Sequence, residues 1–300
     1  MKETRALICR NTKLFFKDKG MFFPTLITPV ILLVLYATFL AKVYHDSFAS
    51  ALPKGFEISD KLLDATVGGE LISSLLAVCC VTVAFCSNLL MINDKITGAV
   101  RDLTVSPVRR SSLAIGYFAS AAFSTLIIAA VAVVAGFIYL GAVGWYLSVS
   151  DVLLLLVDVF LLTLFGTALS SCINFFLSTQ GQLSAVGTLV SAGYGFICGA
   201  YTPISNFSEG LQKVLSFLPG TYGTSLLRNH ALNGVFKEMG NAGFPNDVVE
   251  MIRDSVDCNL YFFGNKVSLG AMYIILGGSV LLLISIYIIL NYVFHSEKKR

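Results

Sequence analysis

Long apolar runs separated by shorter polar ones set the pattern of this chain. Six stretches approach or exceed the roughly 20 apolar residues that a helix needs to cross a hydrocarbon core of about 30 Å. They cover residues 21–43, 71–92, 113–140, 152–177, 183–201 and 268–294. The expected architecture is all-α and polytopic, with six transmembrane helices, an N-terminal interfacial helix, and short re-entrant or external helices before the last span. Four divisions follow: an interfacial helix at 1–20, spans one to five at 21–201, an external or re-entrant segment at 202–266, and the sixth span with its tail at 267–300.

Polar stretches carry patterns of their own. Near the start, Leu7, Ile8, Leu14 and Phe15 recur at helical spacing while Arg10, Lys13 and Lys17 gather on another face. That predicts a basic amphipathic helix lying in the membrane interface, its apolar stripe in the acyl boundary and its cations near anionic headgroups. Pro24 and Pro29 follow, and Pro29 lies deep enough to kink the first span. Between spans two and three, Val100 and Leu103 supply an apolar edge, Lys95, Arg101 and Asp102 a charged one, and Ser106-Pro107 a stop, so a short helix is expected.

After the fifth span, Asn206-Phe207-Ser208-Glu209 has the spacing of a capping box with Asn206 as the cap. This is favoured over reading Asn206-Phe207-Ser208 as a glycosylation acceptor. Phe207, Leu211, Val214 and Leu218 then share one helical face, Pro219-Gly220 breaks the pattern, and a weakly apolar run leads from Tyr222 through Leu227 to Arg228. Neither run can span a bilayer, which predicts a re-entrant or outer-interface pair.

Composition agrees with the pattern: 56% of the 300 residues are hydrophobic and only 13% charged, with a mean hydropathy of +0.78. No sizeable soluble catalytic domain fits in what the spans leave. Net charge is +3, but its distribution is informative. With the N-terminus inside, the inner segments balance at +8 and the outer ones at −4. Lys and Arg beside the inner span ends place both termini in the cytoplasm of a plasma-membrane protein. A cleavable leader is not expected, although Ala49-Ser50-Ala51 resembles a cleavage site. Five of the seven cysteines lie in apolar spans as packing residues, and Cys258 has no external partner, so there is no disulfide framework.

Candidate chemistry is sparse. His45, His230 and His295 are far apart in sequence, and no zincin, C-x-x-C or nucleophile-elbow motif is present, so no catalytic or metal residue is assigned. Nothing points to nucleic acid. Asp158 is the intramembrane carboxylate. A buried charge there costs at least about 2.5–3.5 kcal/mol on insertion scales, so it faces the bundle or a wet cavity, either as a structural hydrogen bond or as part of a translocation path. Lys42 is a candidate partner. Gly195 and Gly199 have the spacing that allows close helix approach and could mark a subunit interface, with packing inside one subunit as the alternative.

These features together resemble the type-2 ATP-binding cassette exporter permeases over almost the whole chain. The match rests on the basic N-terminus, the spans, Gly98…Val105-Ser106-Pro107-Val108-Arg109-Arg110, and Thr202-Pro203-Ile204-Ser205…Leu218-Pro219-Gly220-Thr221-Tyr222…Leu227-Arg228. Ala99 replaces the family's usual threonine, and Arg101 stands at a position often acidic.

The resemblance implies a coupling helix at 94–106, carried by Asp94, Lys95, Gly98, Arg101, Asp102, Leu103 and Pro107, docked on a separate ATPase subunit. It implies two permease chains with two ATPases, and ATP and magnesium in the partner rather than here. The absence of a G-x-x-x-x-G-K-[ST] loop agrees. Export of an amphiphilic, drug-like, peptide or glycan substrate is then expected. The alternatives are an ion-coupled carrier using Asp158, or a membrane scaffold that binds an external partner through 202–266.

Overall fold

A computed structural model describes residues 2–36, 39, 41, 42, 59–105 and 108–297, with side chains omitted at Thr104, Arg110 and 294–297. The described chain is almost entirely helical. The first helix, α1 (Lys2–Lys17), stops at Asp18, whose carboxylate accepts a hydrogen bond from Gly20 N (2.9 Å) and starts α2 (Lys19–Leu35) at a 72° bend. Pro24 and Pro29 both lie inside α2.

The longest helix, α3 (Asp60–Ile96), is the centre of the bundle, buried on nearly every face. Its 37 residues extend about 55 Å, more than a hydrocarbon core requires. It begins eleven residues before the apolar stretch, because Asp60, Lys61, Asp64 and Glu70 interrupt hydropathy without interrupting the helix. Glu70, Asp94 and Asp151 are thus buried carboxylates within candidate spans, in addition to Asp158.

A short helix, α4 (Ala99–Val105), follows, then α5 (Arg110–Val143), α6 (Val149–Phe175) and α7 (Gln180–Ile197). Reciprocal caps start the last two: Ser148 with Asp151 for α6, and Thr179 with Gln182 for α7. Around α3 pack α5, α6, α9, α2 and α7, while α11 covers α6 and α9. One apolar core joins Leu76 and Val81 of α3, Val133 of α5, Leu162 of α6, Tyr194 of α7, Leu226 of α9 and Leu276 of α11.

Beyond α7 come a single 3-10 turn (Ile204–Asn206), α8 (Glu209–Leu215), α9 (Pro219–Asn241), α10 (Asn246–Ser255), a two-residue hairpin of β1 (Tyr261–Phe262) and β2 (Asn265–Lys266), and α11 (Leu269–Glu297). The expected capping box at Asn206 does not form. Asn206 belongs to the 3-10 turn, Ser208 occupies the cap position without a side-chain bond, and Gln212 Nε2 reaches back to the carbonyls of Ser205 (3.1 Å) and Phe207 (2.8 Å).

Pro219 also acts opposite to expectation. Its fixed φ and missing N–H suit the first turn of a helix, and it opens the 23-residue α9 rather than ending one. That helix starts against the middle of α6, where Gly223 meets Leu162. It runs antiparallel to α6 until Asn233 donates to Asp151 Oδ1 (2.6 Å) near the start of α6.

Among the described residues, four helices are long and apolar enough to cross a membrane: Asp60–Ile96, Ser111–Val143, Val149–Phe175 and Leu269–Val293. The bent pair α1 and α2 makes five if taken as one span. The expected fifth span, α7, is not among them, since its 18 residues include Gln180, Gln182, Ser184 and Thr188.

Candidate functional site

Two polar regions stand out, at opposite ends of the bundle. At the end where α3 finishes, Asp94 is buried and grips α1: Arg10 donates through Nη1 to Oδ2 (2.7 Å) and through Nη2 to Oδ1 (3.3 Å), and Tyr117 of α5 donates its hydroxyl to Oδ2 (2.7 Å). Arg10 also donates to Asn11 Oδ1 (2.8 Å). The neighbouring Lys95 turns the other way and caps α6, donating to the carbonyls of Asn174 (3.3 Å), Phe175 (2.7 Å) and Leu177 (3.0 Å). A cation at a helix C-terminus meets the unsatisfied carbonyls and the negative end of the dipole.

Gly98 then breaks the helix with φ +83°, a left-handed value that a side chain would strain, and α4 departs. The principal neighbour of α4 is the end of α3. Arg101 and Asp102 are exposed, Leu103 is half-buried, and Val105 is 88% exposed.

The expected coupling helix at 94–106 therefore divides in two. Asp94 and Lys95 are the last turn of α3 and face inward, whereas Gly98, Arg101, Asp102 and Leu103 form the joint and the projecting α4. Pro107 lies outside the described residues. The N-terminal helix divides likewise: Lys13 and Lys17 are exposed, but Arg10 is engaged. Its apolar stripe does not point to lipid throughout. Leu7 packs on Gly116 of α5, and Phe15 joins a buried cluster with Cys79, Val83 and Ile128, because a groove of the protein's own takes these side chains.

At the other end, α9 carries a row of buried polar residues. Asp158 accepts from Tyr273 Oη (2.6 Å) and pairs with His230 Nδ1 (2.5 Å), so it bridges α6, α9 and α11. Lys42, the candidate partner, is exposed. Two turns of chemistry meet at Arg228, which is fully buried: Nη1 donates to Asp257 Oδ2 (3.2 Å), and Nη2 donates to Gly199 O (2.6 Å) and Ser74 Oγ (3.1 Å). Glu70 lies 3.9 Å from Arg228.

Asp257 also accepts from the backbone N–H of Ile204 (2.5 Å) and Ser205 (3.3 Å). Burial pushes its carboxyl above the ordinary range, and Arg228 and these N–H groups pull it back. On the surface nearby, the hydrogen bond from Lys266 holds Glu250 below the usual carboxylate value.

Gly195 and Gly199, the candidate subunit contacts, are occupied inside the chain. The ring of Tyr201 lies over Gly195, and Gly199 takes φ +76° to end α7 while its carbonyl receives Arg228. A left-handed glycine just past a helix end is the usual way to close it.

Sequence reasoning missed Glu70, Arg228, His230, Asp257 and Tyr273 as a network. The available signal was a helical run, Leu226 to Leu232, in which Arg228, Asn229 and His230 interrupt apolar positions that an exposed loop would not need.

A chain of this architecture, with a basic first helix fastened to a bundle end and a broken helix beyond it, can be compared with known families. Residues 2–231 match the family described as ABC-2 type transporter. The chain belongs to that family. No curated protein and no solved structure matches it. As an ABC-2 permease it is a multi-pass membrane component of an ABC transporter, and such permeases work with an ABC ATPase and as oligomers.

Proposed function

We propose that this chain is the permease of an exporter whose ATP and magnesium are bound by a separate ATPase subunit, and that two permease chains, identical or paired with a relative, form the pathway. The cargo is an amphiphile, drug-like molecule, peptide or glycan. Both termini and α4 face the cytoplasm, in keeping with the charge bias. The observation that carries the reading is the double grip at Asp94 and Lys95: α1, α5 and α6 are all tied to one turn of α3, directly above a short helix that presents Arg101, Asp102 and Val105 outward. A partner that moves α4 would move four helices at once.

Charge reversal at the exposed positions, Arg101→Glu with Asp102→Lys, tests this. In the reconstituted complex it should remove substrate-stimulated ATP hydrolysis while membrane insertion stays normal. Uphill transport by the isolated chain, in vesicles lacking any ATPase, would overturn the reading. A proton-driven carrier is the second reading, favoured by the buried Asp158–His230 pair. It requires transport under an imposed pH gradient without nucleotide.

A further inference from the structure

Between α2, α3 and α7 runs a groove of about 610 Å³, within the range of small-molecule sites. Its two walls differ in character along their length. On α2, Pro24, Ile27 and Ile31 stand at offsets of three and seven and present one apolar face. On α7, Gln180, Ser184, Thr188 and Ser191 stand at offsets of four, eight and eleven and present a polar one, roughly 16 Å long at 1.5 Å per residue. Leu183 is the one large apolar side chain that α7 adds, while Gly187 and Ala192 leave width between the walls.

Cys86, Leu89 and Asn93 of α3 form the floor, and Thr28 Oγ1 donates to Ser191 O (3.3 Å), tying the walls together. The polar wall has capacity to spare. The side chains of Asn93, Gln180 and Ser184 make no hydrogen bond to any described residue. The Thr188 hydroxyl donates to Ser184 O (2.9 Å) and keeps its acceptor lone pairs.

Charge is nearly absent from this surface. Asp18 is the only charged residue lining the groove, and it sits exposed at the start of α2, where it accepts from Gly20 N (2.9 Å). Amides and hydroxyls both donate and accept, so they match hydroxyl groups better than they match an ion. A polar wall facing an apolar one at the same depth also does not suit a molecule with its head at one end and its tail at the other. It suits a molecule with two unlike long edges.

We infer that this groove binds a rigid, uncharged facial amphiphile, with hydroxyls along one edge against α7 and hydrocarbon along the other against α2. The inference rests on the exporter reading for its meaning, since it narrows the cargo to this class. Its geometry stands independently of that reading.

The test uses the full chain in lipid nanodiscs. The probe is a trihydroxysteroid with all three hydroxyls on one face, an uncharged amide side chain and a photoreactive diazirine. Labelling should saturate at one equivalent per chain and map to peptides of α2 and α7. The unlabelled trihydroxysteroid should compete at roughly tenfold lower concentration than the same steroid without hydroxyls, a ratio that one or two hydrogen bonds supply. Ser184→Ala with Thr188→Val should erase that preference while the hydroxyl-free steroid competes as before, which also shows that the variant is folded. Gly187→Phe should abolish labelling, since a side chain there points into open groove, its first atom 3.7 Å from Leu89.

Labelling that excess steroid does not displace, or that maps elsewhere, would overturn the site. So would equal competition by the hydroxyl-free steroid, a hydroxyl preference that survives in the double variant, or stronger competition by a quaternary-ammonium form, which would assign the groove to cations at Asp18. Because binding is read without nucleotide or ATPase, loss of the exporter reading would leave the labelling in place. An active exporter without displaceable labelling would sink this site alone.

Discussion

The two polar ends of the bundle are built on different principles. Around α9, Arg228 alone reaches Asp257, Gly199 and Ser74, and its neighbours His230, Asn229 and Asn233 each hold a further group, so this region is tied at many points. At the end of α3, a carboxylate and an amine on neighbouring residues make the polar attachment, and beyond Gly98 comes the short α4, exposed at Arg101, Asp102 and Val105. Dense, fully buried networks resist any one change of geometry, because each partial break leaves a charge unpaired. Sparse grips leave discrete motions available. The contrast suits a machine held firm at one end and driven at the other.

The largest expected effect comes from breaking the firm end. Arg228→Met should destabilise by about 3–5 kcal/mol or abolish folding, since it strands Asp257 and Glu70. The check is thermal unfolding of the purified chain, and an unchanged Tm would reduce the network to decoration.

Next is Asp158→Ala, expected to cost roughly 2–4 kcal/mol because it leaves both His230 and Tyr273 without their acceptor. Asp158→Asn, which can still accept from Tyr273, should cost less. A double-mutant cycle with His230→Phe separates the pair term from the rest.

At the α3 end, Arg10→Ala should cost only about 1–2 kcal/mol, as Arg10 is 32% exposed. It should nonetheless lower ATP-coupled transport far more than stability. Equal losses in the two assays would erase the distinction between the ends.

The smallest effect is Lys266→Ala. Glu250 and Lys266 are each 49% exposed, so the change is worth under about 0.5 kcal/mol. Since the folded-state Glu250 is held below its unfolded value, that contribution is present above the ordinary carboxylate range and fades as pH falls through it. Hydrogen exchange in the β1–β2 hairpin would detect it.

Much of this architecture can be read directly from apolar periodicity, because a helix crossing lipid must announce itself residue by residue. The runs at 113–140, 152–177 and 268–294 match α5, α6 and α11 to within about three residues at each end for that reason. The start of α3 and the part of α9 beyond Arg228 were hidden. Their polar side chains are satisfied by residues far away in sequence, and hydropathy averages such helices into loops. His230 and Asp158 stand 72 positions apart, a pairing that only the fold declares.

The site at the α3 end was legible as a stretch but not as a geometry. Spacing placed Lys95, and the family resemblance placed Asp94, in the same short helix as Arg101. It could not reveal that the helix breaks between them at Gly98.

Neighbouring residues on a helix point about 100° apart, and at the close of α3 one of them clasps two helices while the next clasps a third. Turning α3 about its own axis would tear one clasp as it tightened the other. Such an arrangement opposes rotation of α3 more than it opposes tilting or sliding along the axis.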